Sequence, residues 1–322
     1  MSFAIVAKLL AILAAVGLGW AAGRSKLLGE GDPARVLANA AFYLFVPALL
    51  VRTTARLDTH ALPWSLLAAF FVPVLGLILL VYLWQRPRRT SAAEPSVKAI
   101  TAGFGNTLQV GIPLAAGVFG ETGLAIHITV VSLHALVLLI LLTLLVELDL
   151  AREQPSRSLA ATLAQTARNT VIHPVVLPVV VGLSWNATGW PLPAVLDEAL
   201  QTLGTAVVPL CLTLIGLSLA QYGWPSAWRG MLGLVLVKLL VQPALVLVCA
   251  HWGFGLTGLP LAVIVMMGAL PIGSNALIFA QRYRSLEAET TAATVLSTVA
   301  YVATAPLWLA LLARYFPWSG GA

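Results

Sequence analysis

The sequence predicts an all-α polytopic membrane protein: ten transmembrane helices in two inverted five-helix repeats, with the fourth and ninth helices broken and crossing. Three observations predict it. Of 322 residues, 60% are hydrophobic and 9% are charged, against about 25% charged in an ordinary soluble domain. Ten apolar runs of roughly 17–25 residues can be drawn along the chain. The second half also repeats features of the first in the same order. Such a composition excludes a soluble globular enzyme, and ten spans of about 20 residues leave no room for a separate soluble domain.

The first run, Phe3–Ala22, has no basic segment ahead of it and nine comparable runs behind it. It therefore reads as a membrane helix rather than a signal peptide. The others lie near Val36–Val51, Pro63–Trp84, Ala99–Phe119, Thr122–Val146, Thr170–Trp185, Ala199–Ala220, Trp228–Ala250, Leu259–Ala280 and Thr290–Leu312. The net charge of +6 is carried mainly by short loops, so the basic residues act as topology determinants and no nucleic-acid partner is expected. Loops one, three, five, seven and nine hold thirteen basic residues, from Arg24, Lys26 and Arg35 to Arg282 and Arg284. Lys8, Arg52, Arg56 and Arg314 fall on the other side. The odd loops are thus expected in the cytoplasm, with both termini on the non-cytoplasmic side.

Residues 1–147 and 170–322 form the two expected repeats, joined by a short cytoplasmic linker, 148–169. Val16-Gly17-Leu18-Gly19-Trp20 is echoed by Val181-Gly182-Leu183-Ser184-Trp185, Val46-Pro47 by Val208-Pro209, and Pro73 by Pro243, at offsets of 165, 162 and 170. Five helices per half force the second half to enter the membrane from the opposite face. Many secondary transporters are built this way, with their sites at broken helices near the midplane. The fourth run packs Gly103, Gly105, Asn106, Thr107, Gln109, Gly111 and Pro113 into the middle of a span, and the ninth reads Gly268-Ala269-Leu270-Pro271-Ile272-Gly273-Ser274-Asn275. Unwound backbone in hydrocarbon costs several kcal/mol per unsatisfied group, so it persists only where protein or a polar cavity satisfies it. Free N–H groups at half-helix N-termini suit an anion such as a carboxylate. Packing glycines and ordinary proline kinks are the bland alternative.

Lys238 lies about 15 Å into its helix at 1.5 Å per residue, too deep to snorkel. It serves either anion attraction or conformational coupling, or is tied to backbone carbonyls. His134, similarly deep, is a proton carrier or a structural histidine. His127 and His173 read as structural, and His60 and His251 as loop or interface residues. All twelve acidic residues fall in or beside predicted connections, which disfavours a proton or sodium carrier built on a midplane carboxylate. Cys211 and Cys249 sit in apolar runs without metal spacing and read as buried thiols. The chain has no phosphate loop, zinc helix or nucleophile elbow, so no enzyme activity, cofactor or metal is expected.

With Asn106-Thr107-Leu108-Gln109-Val110-Gly111-Ile112-Pro113-Leu114 in view, the chain resembles a bacterial member of the auxin efflux carrier family, which includes plant PIN exporters and bacterial malonate and malate carriers. The likeness extends through Ala269-Leu270-Pro271, Phe279-Ala280-Gln281-Arg282-Tyr283 and the Lys238-to-Pro243 stretch. The resemblance implies a scaffold and dimer interface from helices one, two, six and seven, and a mobile transport domain from helices three to five and eight to ten. It also implies that Asn106 holds the substrate carboxylate and that Pro271 is the second crossover proline. His134 falls where plant members carry a glutamine. Gly105 replaces the first crossover proline, and the long cytoplasmic loop of plant exporters is missing.

The expectation is a bacterial inner-membrane secondary transporter of a small organic anion, working by elevator-type alternating access. Gly105, Asn106, Thr107, Gln109, Pro271, Ser274 and Asn275 would bind a small carboxylate, with His134 and Lys238 in charge or proton coupling. Membrane lipid and a second copy of the chain, forming a homodimer through the scaffold helices, are the expected partners. Alternatives are a sodium-coupled carrier like the bile-acid symporters, or a non-transporting membrane sensor.

Overall fold

The computed structural model describes residues 3–29, 31, 33–56, 64–153, 176–222 and 228–318, and all regular structure among them is helical. Most of the 148–169 linker, the start of the sixth predicted run, His60 and His173 lie outside the described residues. Helix α1 spans Phe3–Arg24; α2 (Pro33–Ala40) and α3 (Val46–Ala55) are joined by a wide π turn, Ala41–Phe45. Helices α4 (Trp64–Gln85) and α5 (Glu94–Gly103) follow. The short α6 (Ile112–Leu114) sits between π turns at Thr107–Gly111 and Ala115–Phe119 and leads into α7 (Gly120–Glu153). The second half comprises α8 (Val176–Ala187), α9 (Ala194–Thr205), α10 (Val207–Tyr222), α11 (Trp228–Leu236), α12 (Gln242–Val248), α13 (Gly258–Ala269), α14 (Ser274–Tyr283) and α15 (Glu287–Tyr315).

Among the described residues, four helical stretches are long and apolar enough to cross a membrane: Trp64–Arg88, Thr107–Leu150, Met231–Gly253 and Glu287–Tyr315. Tyr43–Ala55, Leu177–Ala187 and Gly258–Ala269 are shorter apolar helices. The molecule is thus an all-helical, multi-span membrane protein. The fourth and ninth predicted runs do not appear as single long helices because each is interrupted: α5 stops at Gly103 and α13 at Ala269.

Small residues set the helix contacts. A Cβ on Gly19 or Gly216 would collide with the backbone of Thr213 or of Val16, and one on Gly23 would lie 2.7 Å from the Ala220 Cβ. The Gly19-to-Gly23 spacing therefore serves α1–α10 packing within one chain, as small residues do where membrane helices approach closely. Gly182 of α8 lies against Thr54 of α3, and the Asn186 amide donates to the Ala55 carbonyl at 2.9 Å, capping α3. Gly103 of α5 abuts Ile78 of α4, while Gly268 of α13 abuts Val246 and Pro243 of α12.

Two boundaries differ from expectation. Helix α7 continues past Val146 to Glu153 because its acidic residues find partners: Tyr283 Oη donates to Glu147 at 3.0 Å, and Tyr82 Oη to Asp149 at 2.6 Å. Helix α9 begins at Ala194, so Asp197 lies in its first turn, paired with Arg52 (2.9 Å) and Arg56 from the end of α3. A carboxylate there also meets the positive end of the helix dipole. Cys249 is a free, half-buried thiol rather than a buried one. Its neighbours Val248 and Trp252 are exposed, and apolarity within a membrane run does not distinguish lipid-facing from interior positions. Ahead of the fourth run, Glu94 accepts hydrogen bonds from the Thr90 N–H (2.6 Å) and hydroxyl (2.8 Å), and Lys98 Nζ lies 2.7 Å away. Burial alone would raise this carboxyl; the Lys98 and Thr90 bonds outweigh it and hold it at about 2.

Candidate functional site

The two interruptions meet. Residues 104–106 and 270–273 run antiparallel, with Gly105 bridged to Ile272. The Asn106 N–H donates to the Pro271 carbonyl at 2.7 Å, and the Gly273 N–H to the Phe104 carbonyl at 3.0 Å. These bonds satisfy backbone groups that a broken membrane helix would otherwise leave unpaired, an arrangement tolerated only when buried in protein. Gly273 is obligatory here: a Cβ would lie 2.8 Å from the Gly105 carbonyl oxygen. The remaining N–H of the second strand, at Ile272, is met by the Ser297 hydroxyl of α15 at 3.0 Å.

Four chain ends converge on this crossing, two helix C-termini (α5, α13) and two helical starts (after Asn106 and at α14). The C-terminal pair is held from one side by one helical segment. Lys238 Nζ, fully buried, donates to the Gly268 carbonyl at 2.7 Å. One turn later the Gln242 amide donates to the Gly103 carbonyl at 3.0 Å. Lys238 thus sits where the partial negative charges of two helix ends accumulate, and its Nζ is 3.5 Å from the position a Gly105 Cβ would take. It lies in the π turn Val237–Val241; such turns, frequent at functional sites, free carbonyls, and the Leu239 carbonyl accepts from Trp308 Nε1 at 2.9 Å.

At the helical start, Asn106 caps the following turn. Its Oδ1 accepts from the Gln109 N–H at 3.2 Å and its Nδ2 donates to Gln109 Oε1 at 3.1 Å. Both side chains are half-buried, whereas Thr107 is buried and its carbonyl lies 2.8 Å from His127 Nε2. Gly111 makes room for that imidazole: a Cβ there would lie 2.6 Å from Nε2. Asn275 is half-buried on α14; the side chain of Ser274 lies outside the described residues. His134 is buried one side-chain layer away, edge-on to Phe104 with ring centroids 4.6 Å apart. Its Nδ1 has no hydrogen-bond partner among the described residues.

The structure therefore brings together Gly105, Asn106, Thr107, Gln109 and Pro271, with Lys238 behind Gly105 and His134 behind Phe104. Gln242 and Ser297 were missed by the sequence reading, though Gln242 carried a signal: a polar residue four positions after a buried lysine shares its helix face. Among the described residues no cluster of His, Cys, Asp or Glu could hold a metal ion. A helical start at the positive end of its dipole, with an amide pair and no carboxylate, can bind a small anion by hydrogen bonds; nothing in it resembles a nucleophile and base pair.

Comparisons with known proteins place the chain among membrane transporters. The family model described as "Membrane transport protein" matches residues 4–309. The chain is 25% identical over 315 residues to "Uncharacterized transporter YfdV" of Escherichia coli (strain K12), covering 94% of this chain and 96% of that protein, and equally to its Shigella flexneri counterpart. It is 23% identical over 221 residues to "Auxin efflux carrier component 8" of Arabidopsis thaliana, covering 55% of this chain and 60% of that one. With a match over nearly its whole length, the chain belongs to the membrane transport protein family, that of the auxin efflux carriers, a family of transporters and not of enzymes.

Proposed function

We propose that the protein is a secondary transporter of a small organic carboxylate, which binds at the helical start after Asn106 and passes by elevator-type alternating access. The observation that carries this reading is the crossing itself: two broken helices bridged at Gly105–Ile272 through the Asn106–Pro271 and Gly273–Phe104 backbone hydrogen bonds, with the capped turn of Asn106 beside it. The carboxylate would displace the Asn106–Gln109 amide pair and take hydrogen bonds from Asn106, Gln109 and backbone N–H groups, with Thr107, Ser274 and Asn275 completing the polar wall. Lys238 and His134 would serve charge or proton coupling from behind.

Ten spans in two inverted repeats, 1–147 and 170–322 about a linker at 148–169, fit the packing. The pairings α1 with α10 and α3 with α8 exchange under a two-fold relation between halves. Gly103 and Gly268, whose carbonyls Gln242 and Lys238 hold, stand at the same offset of 165 found in the sequence echoes. We assign α1–α3 and α8–α10 to a scaffold that forms a homodimer, the rest to a moving domain, and the protein to the bacterial inner membrane with both termini outside.

The test is charge movement in proteoliposomes on rapid addition of malonate, malate, other short carboxylates and indole-3-acetate, with and without sodium, followed by isotope flux for electroneutral exchange. A saturable, sodium-independent response to one carboxylate, lost in Asn106→Ala with the fold intact, is expected. Unchanged binding and flux in that variant removes the site assignment, and a strict sodium requirement turns the reading to a sodium symporter.

A further inference from the structure

The membrane end of α4 carries a charged cluster that the crossover does not use. Asp149 of α7 is fully buried and accepts from Tyr82 Oη at 2.6 Å and Arg86 Nε at 3.2 Å. Arg89 Nη1 lies 3.1 Å and Arg152 Nη1 3.3 Å from the same carboxylate. These three guanidiniums and one carboxylate carry two net positive charges. Arg88 adds a further cation beside them, stacked 5.0 Å over the Trp84 ring. A wide-open groove of about 390 Å³ is lined by Leu83, Arg86, Pro87 and Arg89. Directly along α4 from this groove, Leu80, Leu83 and Trp84 are 64%, 59% and 58% exposed.

A basic groove at the end of a lipid-exposed apolar helix face has the two-part chemistry of a phospholipid: phosphate at the arginines, acyl chain along the leucines. Guanidinium groups hold phosphate oxygens bidentately, and basic pockets at cytoplasmic helix ends bind anionic headgroups. We infer that the Arg86–Arg89 groove is a binding site for an anionic phospholipid, with the two surplus charges favouring a headgroup that carries two phosphates. Asp149 holds the arginines in place and limits the affinity at the same time. A lipid bound here ties α4 to the end of α7 through Asp149.

The test is the thermal stabilisation of the purified full-length protein in detergent by a diphosphate phospholipid, a monophosphate anionic one, a zwitterionic one and soluble glycerol phosphate. Apparent affinity should fall in that order, with no effect of glycerol phosphate. Arg86→Gln with Arg89→Gln should weaken the anionic lipids on the order of tenfold and leave the zwitterionic lipid unchanged. Asp149→Asn, which removes the negative charge and exchanges one acceptor oxygen for an amide donor, should strengthen them; a purely structural ion-pair network predicts no such gain. Equal effects of anionic and zwitterionic lipid, stabilisation by glycerol phosphate alone, or Asp149→Asn that fails to raise anionic-lipid affinity overturns the proposal.

Discussion

Gly273 and Lys238 show how single side chains set the crossing. At Gly273 a methyl group would press on the carbonyl of Gly105 and come within 3.2 Å of the Asn106 nitrogen. Gly273→Ala should therefore part the two strands at a cost of about 1–3 kcal/mol, read as a lower melting temperature together with lost carboxylate flux. If both are unchanged, the crossing is looser than its geometry. Lys238→Met leaves the buried Gly268 carbonyl without its donor, at about 1–3 kcal/mol, and Gln242→Leu does the same to Gly103. Because the two donors hold different half-helices, the single losses should combine more than additively, which a double-mutant cycle on melting temperature measures; simple additivity would separate the two contacts. Asn106 was legible from its position in a polar block. Gln242 and Ser297 were not picked out, since their roles depend on backbone groups far away in sequence, the Gly103 carbonyl for Gln242 and the Ile272 N–H for Ser297.

At the level of elements, the fit between helices rests on small residues. Gly216 of α10 faces the Val16 carbonyl of α1 without room for a side chain. Gly216→Val should destabilise the protein by about 1–3 kcal/mol through overpacking, seen as early melting, whereas Gly17→Ala, where nothing lies within 4 Å, should be neutral. The start of α5 has a pH signature. Glu94 is held at about 2 against 4.5 for the free group, so its folded-state pKa is depressed. Its stabilisation is complete above about pH 4.5 and is lost as the pH falls through about 2. Glu94→Gln should therefore melt lower than the parent at pH 6, with the gap closing near pH 2; a pH-independent gap would show that shape rather than charge is responsible. Helix ends were the least legible elements. Residues such as Glu147, Asp149 and Asp197 look like loop residues until their partners on other helices are known, because a carboxylate at the membrane boundary joins a helix where a hydroxyl or a counter-charge from another helix meets it.

For the whole molecule, the distribution of basic residues predicts orientation. A cysteine placed at exposed Thr188 should react with impermeant reagent from outside intact cells, and one at exposed Ser91 only after lysis. The reverse labelling would invert the topology without altering the fold. The sequence alone determined the membrane environment, the run of apolar helices and the two places where they break, because hydrophobic length, glycine, proline and charge act locally and each leaves its mark in the chain. Only the tertiary structure decided that the two breaks pair through Gly105 and Ile272, that Lys238 and Gln242 face the ends of both half-helices, and that Asp149 gathers three arginines. Those outcomes are fixed by which buried donors reach which carbonyls and carboxylates across distant segments. Lipid-facing and interior positions are equally apolar, so hydropathy carries no record of them.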